Sequence, residues 1–253
     1  MNKQTEKDRS VSVITPMYNA EKTIRDTIRS VQAQTWQDWE MIIVDDCSTD
    51  RSAVIVQEIL QTDGRIRYFR NETNLGAAGS RNRALQEAKG RYAAFLDSDD
   101  LWRPEKLEKQ IALLQQKKGV FAYTDCAVMD EAGNVVRERR NVPAEADYRK
   151  LLKGNAIPCL TVLLDLSVLG PVSMKRIPHE DYELWLRILQ QGYTAYGLQE
   201  SLAVYRETGR SLSGNKKQAA GWHWNILKMQ PISFPRRICC FLSYMFNAVK
   251  KRM

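Results

Sequence analysis

The chain has 253 residues, of which 43% are hydrophobic and 27% are charged. This composition is typical of a globular protein with a sizeable core, and it excludes an extensively disordered chain. The net charge of +8 fits nucleic acid, an anionic membrane or an anionic substrate as a partner, and the five cysteines, odd in number and without a CxxC spacing, argue against a disulfide framework or a structural zinc site.

The first hundred residues alternate between short apolar runs and amphipathic segments. We predict a flexible stretch over residues 1–10, strands over 11–15, 41–44, 66–69 and 92–96, and a helix after each of the first three strands. Strands separated by helices at this spacing indicate right-handed βαβ units and a parallel sheet. The predicted fold class is therefore α/β, with a mostly parallel sheet and helices on both faces.

The regular alternation of predicted strands and helices ends after residue 100. A helix is predicted from Pro104, strands over 121–124 and 160–164, a hairpin around residues 131–134 and a helix over 180–191. No linker separates two domains, so we expect one domain over residues 11–215. Residues 216–253 mix aromatic and basic side chains and are predicted to form amphipathic helices.

Polar and acidic residues follow three of the predicted strands. Ligands of parallel sheets bind beyond the carboxyl ends of the strands, so these residues mark one edge of the sheet as a ligand site. They are Thr15, Pro16 and Tyr18 after the first strand, Asp45 and Asp46 after the second, and Asp97, Ser98, Asp99 and Asp100 after the fourth.

The acidic residues at this edge suit a metal and a nucleotide. Three carboxylates within residues 97–100 repel one another unless a cation lies nearby, and oxygen ligands suit Mg²⁺ or Mn²⁺, which bridge carboxylates to substrate phosphates. The alternative is a polar turn that caps the helix beginning at Pro104. A carboxylate at Asp45 or Asp46 could accept hydrogen bonds from a nucleobase or ribose, or could belong to a turn.

Two other segments could contact phosphate. Gly76 permits close approach of the backbone and Arg81 could bind phosphate, although GAAG is not a phosphate loop and a plain turn remains open. A late polar segment with Arg206, Ser211 and Ser213 could close over a diphosphate or remain a solvated loop.

Glu180 and Asp181 begin the predicted helix over 180–191. A carboxylate at this position could act as a general base towards an incoming hydroxyl. The alternative is an ordinary helix start, where acidic residues complement the helix dipole.

Six ordered blocks of the sequence resemble the inverting family-2 glycosyltransferases of the GT-A fold. The blocks are VSVITPMYNAEKTIRDTIRSVQAQT, WEMIIVDDCSTD, NLGAAGSRNRAL, GRYAAFLDSDDLW, HEDYELWLRIL and YRETGRSLS, and they span about residues 10–213. Within the family the likeness is greatest to bacterial enzymes of cell-surface polysaccharide assembly, the teichuronic-acid type in particular. The resemblance implies metal-dependent transfer of a sugar from a UDP-sugar to an acceptor hydroxyl, with inversion. It also implies that the domain over residues 11–215 consists of a nucleotide-binding half (11–100) and an acceptor half (101–215).

The resemblance implies roles on the donor side. Asp97 and Asp99 match the family's DxD pair, with Asp99 the first choice as ligand of Mg²⁺ or Mn²⁺ and Asp97 nearer the ribose or sugar. The residues that would surround the nucleotide-sugar are Thr15, Pro16, Tyr18, Asp45, Asp46, Gly76, Arg81, Asp97, Ser98, Asp99, Arg206, Ser211 and Ser213.

It also implies roles on the acceptor side. Asp181 matches the aspartate of the family's ED pair and would be the base, with Glu180 orienting it or the acceptor, and Trp102 and Trp185 would line the acceptor site. The QxxRW motif of processive members is absent from the late region, which implies addition of one sugar per encounter.

The carboxyl-terminal tail from Trp222 permits two interpretations. Its aromatic residues could face a bilayer and its basic residues anionic headgroups, which would suit a lipid-linked acceptor, or the tail could pack on the domain. No leader segment is predicted, and the apolar run 238–246 is too short for a bilayer span of about 20 residues. We expect a cytoplasmic protein that is peripheral on the inner face of the cell membrane.

Competing functions are weighed against this one. A non-catalytic nucleotide-sugar-binding module would not need both the acidic cluster and Asp181, and a nucleotidyltransferase would need a glycine-rich phosphate loop that VITPMYNAEK does not provide. We expect no nucleic acid partner, because we interpret the positive charge as dispersed and the basic tail as short. An acceptor on a protein or a soluble glycan stays open.

Overall fold

The amino-terminal half is built on four parallel strands. The structure, a computed structural model, describes residues 10–138, 142–207 and 216–250. The strands are β1 (Val11–Met17), β2 (Trp39–Asp45), β3 (Ile66–Arg70) and β4 (Tyr92–Phe95), and the helices between them are α1 (Ile24–Gln32), α2 (Ser52–Leu60) and α3 (Gly76–Glu87). Their spatial order is β3-β2-β1-β4, and each neighbouring pair is parallel, which confirms the predicted βαβ units.

Side-chain periodicity explains these elements. Ile24, Ile28 and Val31 are spaced three or four residues apart and are all buried on one face of α1. All seven residues of β1 are buried, and its neighbours Val13 and Ile14 belong to core clusters on opposite faces of the sheet. Helices therefore cover both faces, as predicted.

The carboxyl-terminal half adds strands that run in both directions. They are β5 (Leu101–Trp102), β6 (Phe121–Met129), β7 (Val135–Glu138), β8 (Glu145–Ala146), β9 (Leu163–Asp165) and β10 (Ala195–Arg206). β9 lies between β4 and β6 and is antiparallel to both, whereas β10 runs parallel to β6. One sheet results, with the order β3-β2-β1-β4-β9-β6-β10-β5 along its main path.

The carboxyl-terminal half also contains helices, and one of its predicted strands differs from the structure. They are α4 (Lys106–Lys117), α5 (Tyr148–Leu151), α6 (Leu166–Leu169) and α7 (Glu180–Leu189). The strand predicted over 160–164 is wrong in its first part, because Cys159–Thr161 forms a 3-10 turn and β9 begins only at Leu163. Both the N–H and the hydroxyl of Thr161 donate to the Pro158 carbonyl oxygen, and these local bonds replace ladder bonds there.

The tail forms the predicted helices α8 (Lys216–Lys228) and α9 (Phe234–Lys250). Ile226 and Leu227 of α8 and Cys240 of α9 share a core cluster with residues of α7, so the tail packs on the domain. Across the described ranges, no helix combines the length and the apolar character that a bilayer crossing requires.

Candidate active site

The end of β2 places Asp45 inside the protein. Asp45 is fully buried, and its carboxylate accepts hydrogen bonds from the Ser48 N–H at 2.8 Å and from the Tyr68 hydroxyl at 2.7 Å. Burial and the Asp45 charge raise the pKa of Tyr68 to about 12, so that hydroxyl stays a donor. Asp45 therefore supports the loop after β2, and its contact with a nucleotide stays a prediction.

Its neighbour Asp46 holds the loop that precedes α3. The Asp46 carboxylate, which is 4% exposed, accepts hydrogen bonds from the Asn71 side chain and from the N–H groups of Leu75 and Gly76, each at 2.8 Å. Gly76 has a φ of +71°, which favours glycine, and a Cβ built there would meet open space. Asp46 thus fixes an open backbone surface beside the strand ends, and its contact with a base stays a prediction.

The end of β1 offers one accessible side chain. Thr15 is fully buried and its Oγ1 has no hydrogen-bond partner among the described residues, and Pro16 is buried as well. Tyr18 is 54% exposed. Of the three residues predicted to border the nucleotide here, Tyr18 presents its ring to solvent.

The acidic loop after β4 is held from two sides. The Thr27 hydroxyl of α1 donates to the carbonyl oxygens of Ser98 and Asp100. At the end of β10, the Arg206 N–H donates to the buried Asp100 carboxylate at 2.8 Å, and Arg206 Nε donates to the Asp99 carbonyl oxygen at 2.9 Å. Arg206 therefore stabilises the acidic loop in this structure, and its predicted contact with the diphosphate stays a prediction.

The electrostatics of this loop favour a bound cation. Burial raises the pKa of Asp99 to about 6, with a further contribution from the Asp97 charge, and burial with the neighbouring carboxylates also raises the pKa of Asp100. A divalent cation beside Asp97 and Asp99 would stabilise their charged forms, and carboxylate oxygens are ligands that Mg²⁺ and Mn²⁺ prefer. The described residues include no group of three or more His, Cys, Asp or Glu side chains placed to hold a metal ion, so the role of Asp97 and Asp99 as metal ligands stays a prediction.

Arg81 of α3 lies at the centre of the site and is only 5% exposed. Its Nη2 is 2.5 Å from Asp97 Oδ1, and its Nη1 is 2.5 Å from Glu180 Oε1. Burial alone would lower the pKa of the guanidinium, but the Asp97 and Glu180 charges raise it above its ordinary value. In this structure Arg81 pairs with two carboxylates, and its contact with phosphate stays a prediction.

Asp181 stands at the start of α7, next to Glu180. The preceding His179 has a φ of +59°, a left-handed conformation that sets the direction in which the helix begins. The Asp181 carboxylate accepts a 2.7 Å bond from the Tyr182 N–H and a 3.4 Å bond from Asn155 Nδ2. Burial, and then the Glu180 charge, raise the pKa of Asp181 to about 6, which suits a proton acceptor near neutral pH.

Two polar groups of the site escape sequence reasoning. Asn155 contacts the Asp181 carboxylate, and Cys159 interacts electrostatically with Arg81, with burial raising the pKa of the Cys159 thiol. Both precede β9 in a segment without a periodic pattern, so only the folded arrangement reveals them. The predicted Ser211 and Ser213 lie outside the described residues.

The two tryptophans predicted to line the acceptor site belong to the core. Trp185 is fully buried, and its ring packs edge-on against Phe95 at 5.6 Å and Phe121 at 5.2 Å between centroids. Trp102 is 4% exposed and its Nε1 donates to the Leu160 carbonyl oxygen at 2.8 Å. The prediction of an acceptor role for these residues is wrong, because their apolar faces pack on the sheet.

A buried arginine joins the acidic loop at the strand ends to a helix that begins with two carboxylates. This arrangement on an α/β sheet is typical of an enzyme active site. The chain belongs to glycosyl transferase family 2, whose family model matches residues 12–162. This membership confirms the resemblance seen in the six sequence blocks and makes the protein a glycosyltransferase.

Two curated relatives match the chain over nearly its whole length. It is 43% identical over 245 residues to the putative teichuronic acid biosynthesis glycosyltransferase TuaG of Bacillus subtilis, covering 96% of this chain and 97% of the relative. It is 39% identical to WfgD of Escherichia coli, a UDP-Glc:alpha-D-GlcNAc-diphosphoundecaprenol beta-1,3-glucosyltransferase, covering 96% of this chain and 95% of the relative.

Solved structures confirm the predicted GT-A fold. The S. aureus TarS 1–349 structure in complex with UDP aligns with a TM-score of 0.69 at 20% identity, covering 93% of this chain and 70% of that one. The mannosyltransferase PcManGT from Pyrobaculum calidifontis, in complex with GDP-Man and Mn²⁺, aligns with a TM-score of 0.69 at 18% identity, covering 92% of this chain and 68% of that one.

Proposed function

We propose that this glycosyltransferase moves a sugar from a UDP-sugar to a hydroxyl of a lipid-linked saccharide in cell-surface polysaccharide synthesis, and that it inverts the anomeric centre. The names of the B. subtilis and E. coli relatives support the pathway class, the UDP donor and the lipid-linked acceptor. The observation that carries the proposal is the pairing of Arg81 with both Asp97 and Glu180. The Arg81 guanidinium thus contacts both the acidic loop, through Asp97, and the start of α7, which bears Asp181.

The transfer is a single displacement. The acceptor oxygen forms a bond to C1 of the sugar while the bond from C1 to the diphosphate oxygen breaks on the opposite face. Asp181 takes the proton from the acceptor hydroxyl, because its carboxylate is ionised at neutral pH and its raised pKa makes it a better base than an ordinary aspartate. Attack from the face opposite the leaving group converts an α-linked donor into a β-linked product.

Each remaining residue of the site has a positioning role in this proposal. Arg81 holds Glu180 and Asp97 in fixed geometry, and Asn155 orients the Asp181 carboxylate. Asp97 and Asp99 would hold Mg²⁺ or Mn²⁺, which when bound neutralises charge on the diphosphate. Arg206 keeps the acidic loop in place through Asp99 and Asp100.

The proposal includes a location. A lipid-linked acceptor lies in a bilayer while a nucleotide-sugar is soluble, so the enzyme would work as a peripheral protein on the cytoplasmic face of the membrane. Nucleic acid has no part in this reaction.

The test is transfer of label from a panel of sugar nucleotides to organic-extractable bacterial lipid, in the presence of Mg²⁺ or Mn²⁺. We expect label to enter lipid from one donor with the native protein and not with the Asp181→Asn variant. Label that enters only protein or soluble glycan would overturn the lipid-linked acceptor. Tight binding of a sugar nucleotide without any transfer would overturn the enzyme mechanism and favour a binding module.

A further inference from the structure

Helix α9 exposes a continuous apolar face to solvent. The residues of this α9 apolar face are between 38% and 69% exposed, and they are Phe234, Ile238, Leu242, Met245 and Phe246. At a turn of 100° per residue they fall within an arc of about 120° along the helix. Large apolar side chains scattered singly on a surface are ordinary, but five aligned on one helix form a patch that marks an interaction site.

The opposite side of α9 packs on α8, which in turn contacts α7, the helix that bears Asp181. Cys240 is buried there, and the Tyr244 ring stacks on the His223 ring of α8 with 4.0 Å between centroids. His223 in turn stacks on Tyr182 at 5.5 Å, next to Asp181. Burial lowers the pKa of His223 to about 4, so this stack stays uncharged. The apolar face is therefore held at a defined position relative to the proposed base.

The net positive charge of the protein comes from the last 46 residues, 208–253, which include this tail. Residues 208–253 contain nine Lys and Arg and no Asp or Glu, whereas residues 1–207 contain 29 basic and 30 acidic residues. The interpretation of a dispersed charge is thus wrong. Arg236 is exposed on α9, and Lys228 is exposed at the end of α8.

We propose that the α9 apolar face is a docking surface for an anionic phospholipid bilayer, on which α9 lies parallel to the membrane plane. Apolar side chains enter the interface and the basic residues of the tail meet the lipid headgroups. The stack from Tyr244 to Tyr182 then holds Asp181 at the membrane surface. The purpose of docking rests on the proposed lipid-linked acceptor, but the binding itself does not require it.

The charge pattern favours a bilayer over other occupants. A second copy seated on the α9 apolar face would bring together two segments that each contain nine basic and no acidic residues. Nucleic acid would satisfy the basic residues but would leave five large apolar side chains facing a phosphate backbone. An anionic bilayer complements both properties at once.

The test is flotation of the full chain with phosphatidylcholine vesicles that contain about 30% phosphatidylglycerol. The variant Leu242→Glu/Phe246→Glu places two charges on the α9 apolar face. Its matched control is Val135→Glu/Val136→Glu, which adds the same charges at valines of β7 that are 52% and 58% exposed. We expect the native chain and the control to float, and the bound fraction of the α9 variant to fall at least about tenfold.

Other outcomes overturn the proposal. A native chain that stays at the bottom of the gradient, or an α9 variant that floats like the native chain, removes the docking surface. A native dimer that the α9 variant converts to a monomer assigns the face to a second copy, and loss of a DNA gel shift in that variant alone assigns it to nucleic acid.

Flotation and transfer are separable. Transfer of label to detergent-dispersed lipid without flotation would overturn docking and leave the proposed function standing. Flotation without transfer from any donor would leave docking standing and overturn the proposed function.

Discussion

Arg81 and Glu180 are separated by 99 residues in the chain, yet their side chains meet at 2.5 Å. The second Nη of Arg81 binds Asp97 at the same distance, so one buried guanidinium joins α3, the acidic loop and the start of α7. A guanidinium presents a planar set of donors to two carboxylates, whereas a lysine ammonium acts as a point charge. The position of the proposed base therefore depends on the donor-side loop.

Replacing Arg81 by lysine tests this dependence. Arg81→Lys leaves one of two part-buried carboxylates without its partner, and we expect it to destabilise the fold by about 3 kcal/mol and to lower transfer at least about a hundredfold. Chemical denaturation and initial transfer rates measure the two effects. The control is Arg91→Lys, which alters the ion pair with Asp165 on β9 and is expected to keep full activity per folded molecule. Equal losses of activity in the two variants would contradict a special role for Arg81.

Removing the charge of Asp181 tests the base. Asp181→Asn keeps the shape of the side chain, and we expect transfer to fall at least about a thousandfold because no group at that position accepts the proton. Binding of UDP, measured by calorimetry, is expected to stay within about twofold. Asp26→Asn on the exposed surface of α1 is the control with native activity. Native turnover in Asp181→Asn would refute the assignment.

The pH dependence of transfer tests both Asp181 and Asn155. Asp181 must be ionised to accept a proton, and its pKa of about 6 means that kcat/KM rises as pH increases through about 6 and then levels off. Asn155→Ala removes a hydrogen-bond donor to the charged Asp181 carboxylate, which raises the pKa of that group. We therefore expect the midpoint of the rise in kcat/KM to shift to higher pH by about half a pH unit, with little change in kcat/KM at pH 8. An Asn155→Ala variant with lower activity but an unchanged pH midpoint would show that Asn155 has only a structural role.

Asp99 gives opposite effects on stability and on metal binding. Its pKa of about 6 lies above the unfolded value, so charged Asp99 destabilises the metal-free fold above pH 6, and this effect disappears as pH falls from about 6 towards 4. We expect Asp99→Asn to raise the free energy of unfolding by about 1 kcal/mol at pH 8 and to weaken Mn²⁺-dependent nucleotide binding at least about tenfold.

The matched control for Asp99→Asn is a variant that we expect to change the free energy of unfolding in the opposite direction. A hydrogen bond from Arg65 lowers the pKa of Asp63 to about 2, so its charged form stabilises the fold above its unfolded pKa, and Asp63→Asn is expected to destabilise at pH 8. Mn²⁺ titrations followed by nucleotide binding are expected to be native in this variant. An unchanged Mn²⁺ titration in Asp99→Asn would contradict its role as a ligand.

Sequence reasoning predicted which edge of the sheet carries the candidate site, because strand periodicity and βαβ handedness indicate where the strands end. It could not distinguish the roles of apolar residues. Trp185 shares a helical face with Leu184 and Ile188, and the same pattern fits either a core or an open acceptor surface. Only packing against Phe95 shows that the tryptophan is core.

Contacts between residues that are distant in the chain could not be predicted from the sequence either. The Asp46 carboxylate accepts three hydrogen bonds from groups 25 to 30 residues away, and Asn155 meets Asp181 across 26 residues. These pairings depend on how loops of irregular structure are placed, and no periodic signal encodes that placement. The excess charge of the tail was visible in the sequence, but its meaning depends on the exposed face of α9.

The short strand β9 has a consequence for protein engineering. Ala93 of β4 pairs with Leu164 of β9, and the same Leu164 pairs with Phe121 of β6, so the sheet of residues 11–100 borders a strand that comes from the carboxyl-terminal half. A chimaera that joins residues 11–100 of one relative to the remainder of another would place its seam inside the sheet. Exchange of donor preference therefore calls for a discontinuous cassette, in which residues 163–165 travel with the amino-terminal half.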